Sequence, residues 1–201
     1  MMTVIVKAGT GHVAGDTRDR MVQATIELLQ QRGYAGTSFG DVTAASGAPR
    51  GSIYHHFPGG KQQLVAEAVT RYAEGIARRL RTDVQSGHSR DVVGTFVDVV
   101  RTGLRASDFS RGCAIAAVVL DVTPSESVLL DLGSQALGAW RRVLQTAFQR
   151  DGAEDARARR LATFVVAAVE GALILARADR DLTPVNEVAA ELDRHLASGV
   201  G

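Results

Sequence analysis

Residues 50–57 read Arg50-Gly51-Ser52-Ile53-Tyr54-His55-His56-Phe57, so a guanidinium, two kinds of hydroxyl and two imidazoles surround a pair of apolar residues four apart. On a helix, Ile53 and Phe57 point inward, and Arg50, Ser52, Tyr54 and His55 are left to face out. Such a face can donate and accept hydrogen bonds across a surface but holds nothing arranged to break a bond. His56 is expected to stay without a partner, because His55 already claims the exposed side. Adjacent histidines diverge by about 100° on a helix, whereas paired metal ligands need separations of three or four. His12, His88 and His195 add no ligand spacing, so no metal is expected. Cys113, the single cysteine, lies in an apolar run and reads as a small core residue before a reactive thiol. No nucleophile set stands out, and neither enzyme activity nor a cofactor is expected. Gly9-Thr10-Gly11-His12-Val13-Ala14 has the form of a G-x-G-x-x-A dinucleotide fingerprint. That fingerprint needs repeated βαβ units, and no later segment supplies a parallel strand.

The elements that must position the polar face follow from helix-period patterning, which dominates the chain. Residues 17–32 read as a helix with Val22, Ile26 and Leu29 on one face, Asp16 or Thr17 as N-cap and Gly33 as the stop. Thr37 or Ser38 caps a short helix that Gly47 ends. Pro49 suits the first turn of another, to about His56, and Pro58-Gly59-Gly60 breaks it. A long helix from Lys61 to about Gln85 follows, some 37 Å at 1.5 Å per residue. Beyond Gly87, helices are expected over about 89–107, 113–121, 125–150, 153–180 and 184–197. For residues 113–121 a buried strand is the open alternative, because Val and Ile abound there. The fold class is all-α with about nine helices: a flexible arm (1–16), a three-helix unit (17–60) and a larger helical domain (61–201).

A length of 201 residues with 45% apolar and 22% charged residues is that of a globular chain able to bury a core. One cysteine fits a reducing compartment, and a cytoplasmic location is expected. The longest apolar stretch, residues 161–176, carries Glu170 in its middle, so no membrane span is expected. The net charge of +1 is divided unevenly. Residues 1–90 hold 11 basic and 7 acidic side chains, giving +4, whereas residues 91–201 hold 12 and 15, giving −3. A basic front hints at a polyanionic partner.

A helix of about sixteen residues followed by two of about eight, joined by the turn at Gly47, is the layout of a helix-turn-helix unit. The third helix of such a unit enters the major groove, which is about 12 Å wide and admits one helix. At Gly33-Tyr34, Thr37-Ser38, Asp41-Val42, Ala45-Ser46-Gly47, residues 50–57 and residues 61–64, the sequence resembles the TetR family of bacterial transcriptional repressors. The extra loop residue in Tyr54-His55-His56-Phe57-Pro58-Gly59-Gly60-Lys61, and later Arg111-Gly112-Cys113-Ala114-Ile115-Ala116, resemble the LmrA/YxaF-type subgroup. Gly40, where the family often has Arg or another polar residue, and Ala48, which lacks a capping hydroxyl, depart from the pattern. The resemblance implies a ligand-responsive repressor on a palindromic operator in double-stranded DNA. It implies phosphate contacts for Thr37, Ser38, Tyr54 and Lys61, a bidentate base contact for Arg50, and base or backbone contacts for Ser52 and His55.

Two half-sites call for two readers, so a homodimer is expected. The apolar residues of the 153–180 helix spread around most of its circumference and need cover on two sides. Phe164, Ala168, Gly171, Ala172 and Leu175, with Val188 and Leu192 of the last helix, are the candidate seam. The alternative is a core helix enclosed within one chain. By resemblance, the remaining helices enclose a pocket for a small lipophilic effector, antibiotic- or flavonoid-like. Its candidate walls are Phe96, Val100, Ile115, Val118, Leu137, Trp140 and Leu144, for each of which plain core packing is the competing reading. Two other function classes stay open: an all-helical small-molecule-binding or interaction protein without DNA binding, and a nucleotide-dependent enzyme using the N-terminal glycines.

Overall fold

The computed structural model describes residues 14–49, 51–123 and 127–197, and these form helices and connecting turns with no strand among them. In chain order the helices are α1 (Ala14–Arg32), α2 (Phe39–Ser46), α3 (Ser52–His56), α4 (Gly60–Ser86), α5 (Ser89–Ala106), α6 (Ala114–Asp121), α7 (Ser127–Arg150), α8 (Asp155–Asp179) and α9 (Thr183–Ala197). The 1–16 arm and the glycine fingerprint fall outside the described residues, apart from the first turn of α1.

Local chemistry sets the ends of the short helices. Ser38, not Thr37, caps α2: its hydroxyl accepts from the Asp41 amide at 3.2 Å, and the Asp41 carboxylate accepts from the Ser38 amide at 3.0 Å. Gly47, left-handed at φ 65°, ends α2. α3 is shorter than the sequence suggests, because the Pro49 carbonyl accepts from both the Ser52 amide at 3.0 Å and the Ser52 hydroxyl at 2.7 Å. These two bonds hold Ser52 to Pro49, and the helix begins at Ser52. The Val- and Ile-rich segment is the helix α6 and not a strand. Cys113 is its N-cap, with Sγ accepting from the Ala116 amide. α7 lies close against it because Gly133 has no side chain; a Cβ there would sit 2.4 Å from Val119.

One continuous core joins the three-helix unit to the rest. Met21, Val22, Leu29, Val42, Ile53 and Phe57 close the first bundle against Leu64, Val65 and Ala68 of α4. At the centre of the larger bundle Trp140 is fully buried, donates Nε1–H to the Ala73 carbonyl at 3.0 Å, and meets Phe96 and Tyr72 edge-on. α8 has the length and apolarity of a membrane-crossing helix, but 44% of its most apolar window is buried inside this chain. The rest of that surface lies on an outward stripe. Phe164 (51% exposed), Ile174 (60%) and Leu175 (55%) stand on it with half-buried Ala168 and Gly171.

Candidate functional site

α3 is held by its apolar side alone. Ile53 and Phe57 are buried, the Arg18 guanidinium stacks 4.9 Å over the Phe57 ring, and Arg20 ties α1 to the Ser46 carbonyl at the end of α2. On the other side Tyr54 is 67% exposed with its ring edge-on to Phe39, and His55 is exposed beside half-buried His56. Ser52 is half-buried, and its hydroxyl is already donated to Pro49. Arg50 lies outside the described residues.

Two of the expected phosphate contacts are turned elsewhere. Thr37 is only 2% exposed and donates its hydroxyl to the Gly33 carbonyl at 2.7 Å, so it braces the α1–α2 turn. Lys61 bends back, its Nζ 2.7 Å from the Tyr34 carbonyl and 4.0 Å from the centre of that ring. The ammonium therefore pins the start of α4 to the same turn. Ser38 remains at the exposed start of α2, engaged with Asp41, whose carboxyl is held below its usual range by the Ser38 hydroxyl and amide.

Behind the reading unit lie two cavities. One, about 480 Å³, sits among α1, α4, α5, α7 and α8 and is lined by Tyr72, Phe96, Val100, Gly103 and Trp140 with Glu170. The second, about 600 Å³, runs along the end of α1 between α6 and α8, past Cys113, Leu120, Asp121 and Ile174. Of the expected pocket walls, Phe96, Val100 and Trp140 line the first cavity. Ile115, Val118 and Leu144 are packed into the core, and Leu137 packs against it half-buried; none of the four faces either cavity. Of the expected seam, Phe164 and Leu175 are exposed on α8, and Ala168, Gly171 and Val188 are half-buried. Ala172 and Leu192 turn into their own chain's core. Ile174, absent from the expected seam, stands outward instead.

Sequence reasoning missed how the cavity walls touch the reading unit. A helix end leaves carbonyls without intrahelical partners, and at the end of α1 the larger bundle supplies them. The Gly112 amide donates to the Gln30 carbonyl at 2.8 Å, and Arg177 donates to the Gln31 carbonyl at 3.2 Å. Gln30 Nε2 returns a bond to the Gly112 carbonyl at 3.0 Å, and Arg111 pairs with Glu27 at 2.8 Å. Asp121 at the end of α6 accepts from the Ala35 amide at 3.1 Å. A Cβ on Gly33, which is left-handed at φ 76°, would collide with that carboxylate at 2.4 Å.

The second missed feature is a polar cluster inside the bundle. Glu170, from the middle of α8, hydrogen-bonds with the Cys113 thiol near Tyr72, which Gln30 reaches at 3.5 Å. Burial pushes the Glu170 carboxyl from 4.5 up to about 7, and burial followed by the Glu170 charge pushes the Cys113 thiol well up. Between pH 4.5 and 7 the folded chain thus keeps a proton that the unfolded chain has lost, so stability falls as pH rises through that window. The gap corresponds to about 3 kcal/mol. Chemical unfolding should show Glu170→Gln gaining on the wild type by that order between pH 4.5 and 8, and a pH-independent difference would contradict the burial. The signal was present in the sequence as a lone Glu interrupting an apolar run. Among the described residues no group of three His, Cys, Asp or Glu side chains is placed to hold a metal ion.

Comparison with known proteins agrees with this geometry. Residues 22–68 match the model for bacterial regulatory proteins of the tetR family, and residues 90–191 match the C-terminal domain of LmrA/YxaF-like transcriptional regulators. The chain is 35% identical over 180 residues to an uncharacterised HTH-type transcriptional regulator of Mycobacterium tuberculosis, covering 87% of this chain and 91% of that one. It is 27% identical to the HTH-type transcriptional regulator LmrA of Bacillus subtilis, covering 88% and 94%. Among solved structures, a TetR transcriptional regulator from Chloroflexus aurantiacus superposes with a TM-score of 0.74 at 28% identity, over 91% of this chain and 95% of that one. The regulator CifR, in a structure with 26-bp double-strand operator DNA, superposes with a TM-score of 0.72 at 27% identity, over 90% and 95%. These proteins are transcriptional regulators, not enzymes.

Proposed function

Since this chain belongs to the TetR family and is a DNA-binding transcriptional regulator, we propose that it is a ligand-responsive repressor, binding a palindromic operator as a homodimer and released when a small lipophilic effector fills the bundle. Residues 17–60 form the reading domain and residues 61–201 the effector and dimerisation domain. Tyr54 and His55 reach base edges and phosphates from α3, joined by Arg50 and by Ser38 at the start of α2. The outward stripe of α8, with α9 beside it, meets its copy across a two-fold axis.

One observation carries the effector reading: the residues that line the cavities are also those that close the end of α1. Gln30 and Gly112 border both cavities and bond to each other, and Arg177 borders the second while donating to the Gln31 carbonyl. An occupant that displaces the 111–113 segment frees carbonyls on the first helix of the reader. α4, 27 residues and about 40 Å long, carries the same displacement along its length. The effector then favours a spacing of the two α3 helices that no longer matches grooves about 34 Å apart.

Selection of bound fragments from the source genome tests this directly. The expected product is a palindrome whose half-sites lie one helical turn or a multiple apart, holding two chains per site, with affinity falling steeply as salt rises. Salt-independent association, or one chain per site, would favour an interaction protein without a DNA-reading role.

A further inference from the structure

Glu170 stands where the two cavities meet: it lines both, as do Gln30, Gly112 and Leu173. The groups that face it come from three other elements: Tyr72 of α4, Cys113 at the N-cap of α6, and Gln30 of α1 through Tyr72. Among the described residues the hydrogen-bonding group at its carboxyl is the Cys113 thiol, and a thiol is a weak donor for a group with two acceptor oxygens. The arginines around the cavities are drawn to other partners. Arg32 is on Asp41, Arg111 on Glu27, Arg71 on Asp19 and Glu67, and Arg177 donates to the Gln31 carbonyl. Arg78 and Arg79 stand at the exposed rim of the first cavity, where water screens them. Among the described residues no cation forms an ion pair with this carboxyl, which stands beside the apolar wall of Phe96, Trp140 and Leu173, and burying a carboxylate unpaired is costly.

We propose that the effector is an amphiphilic base, an apolar ring body bearing a protonated amine, whose ammonium pairs with the Glu170 carboxylate at the junction while the body lies along Trp140 and Phe96. This rests on the effector-cavity reading above. The cation offsets the desolvation cost that raises the Glu170 carboxyl to about 7, with the Tyr72 ring nearby. The pairing also sets the charge beside Gly112 and Gln30, the two residues that close α1.

Trp140, the single tryptophan of the chain, lines the first cavity and reports occupancy by energy transfer to an anthracene ring. Three probes share that ring: 9-(aminomethyl)anthracene, a cation; 9-anthracenemethanol, neutral; and 9-anthracenecarboxylate, an anion. Titrated against the full-length protein at pH 8, the amine is expected to bind at least about tenfold more tightly than the alcohol, as a charge-assisted bond exceeds a neutral one. Between pH 6 and 8 its affinity should rise as Glu170 ionises, since the amine stays protonated throughout. Glu170→Gln should abolish both the preference and the pH dependence, with its fold verified by circular dichroism and operator binding. Equal binding of amine and alcohol, tightest binding of the carboxylate, or a preference that survives Glu170→Gln would overturn the proposal and leave the cavity reading standing. If none of the three changes Trp140 emission in the wild type, the cavity reading falls and takes the proposal with it.

Discussion

Gly171→Arg is expected to turn the dimer into a folded monomer and to lower operator affinity by about 10²–10⁴-fold, the avidity that linking two binding events supplies. Gly171 is half-buried in the middle of α8, on the stripe that includes Phe164, Ala168, Ile174 and Leu175. A Cβ at that position meets nothing within 4 Å in its own chain, so a side chain can leave the helix there without a clash at its root. Replacing a mid-helix glycine removes an intrinsic cost of about 1 kcal/mol and favours α8 locally. In the proposed seam the same position lies by its copy across the two-fold axis, and two guanidinium groups would have to share a dry apolar interface, which costs several kcal/mol. Sedimentation velocity should give the mass of one chain with the far-ultraviolet spectrum unchanged. An unaltered dimer would remove the α8 stripe from the interface.

The second large effect belongs to α3. Tyr54→Ala with His55→Ala is expected to lower operator affinity at least 100-fold while costing no more than about 2 kcal/mol of stability, the loss of one exposed aromatic pair included. Both side chains are exposed, and Ile53 and Phe57 hold the helix from beneath, with Tyr54 adding one edge-on contact to Phe39. Each contact is made twice in a symmetric complex, so a loss of only about 1.4 kcal/mol per half-site doubles to the hundredfold expected. Binding to random duplex should fall much less, because most phosphate contacts remain. An equal loss on specific and random sequences would show that α3 touches backbone alone.

The reading unit was legible in the sequence because its boundaries are written in local chemistry. Gly47 at the end of α2 and Ile53 with Phe57 four apart each act within one turn of chain, so spacing alone reveals them. What escaped depends on where a flexible side chain bends or on which elements meet. Thr37 and Ser38 are equal candidates by type, and only the position of the Gly33 carbonyl decides that Thr37 turns inward. Lys61 has the right charge at the right helix start, yet the Tyr34 ring and carbonyl lie within its reach. In the larger bundle the difficulty is phase. α8 is apolar on nearly every side, so its sequence does not say that Ala172 faces inward and Ile174 outward. The cavities form where Tyr72, Gly75, Gly103 and Glu170 from three helices fail to fill space, and no single stripe encodes that. Ile115, Val118 and Leu144 are candidate walls by resemblance, with core packing as the competing reading, and they are buried in the core.

The central claim is that the exposed side of α3 enters the duplex, and cross-linking from Tyr54 tests it most directly. With a benzophenone amino acid in place of Tyr54, irradiation of the dimer on its selected operator should join protein to DNA within each half-site, and salt that disrupts the complex should abolish the product. The same photoreactive group in place of Phe164 should join chain to chain and leave the DNA untouched. Cross-links to DNA from position 164 but none from position 54 would contradict the account.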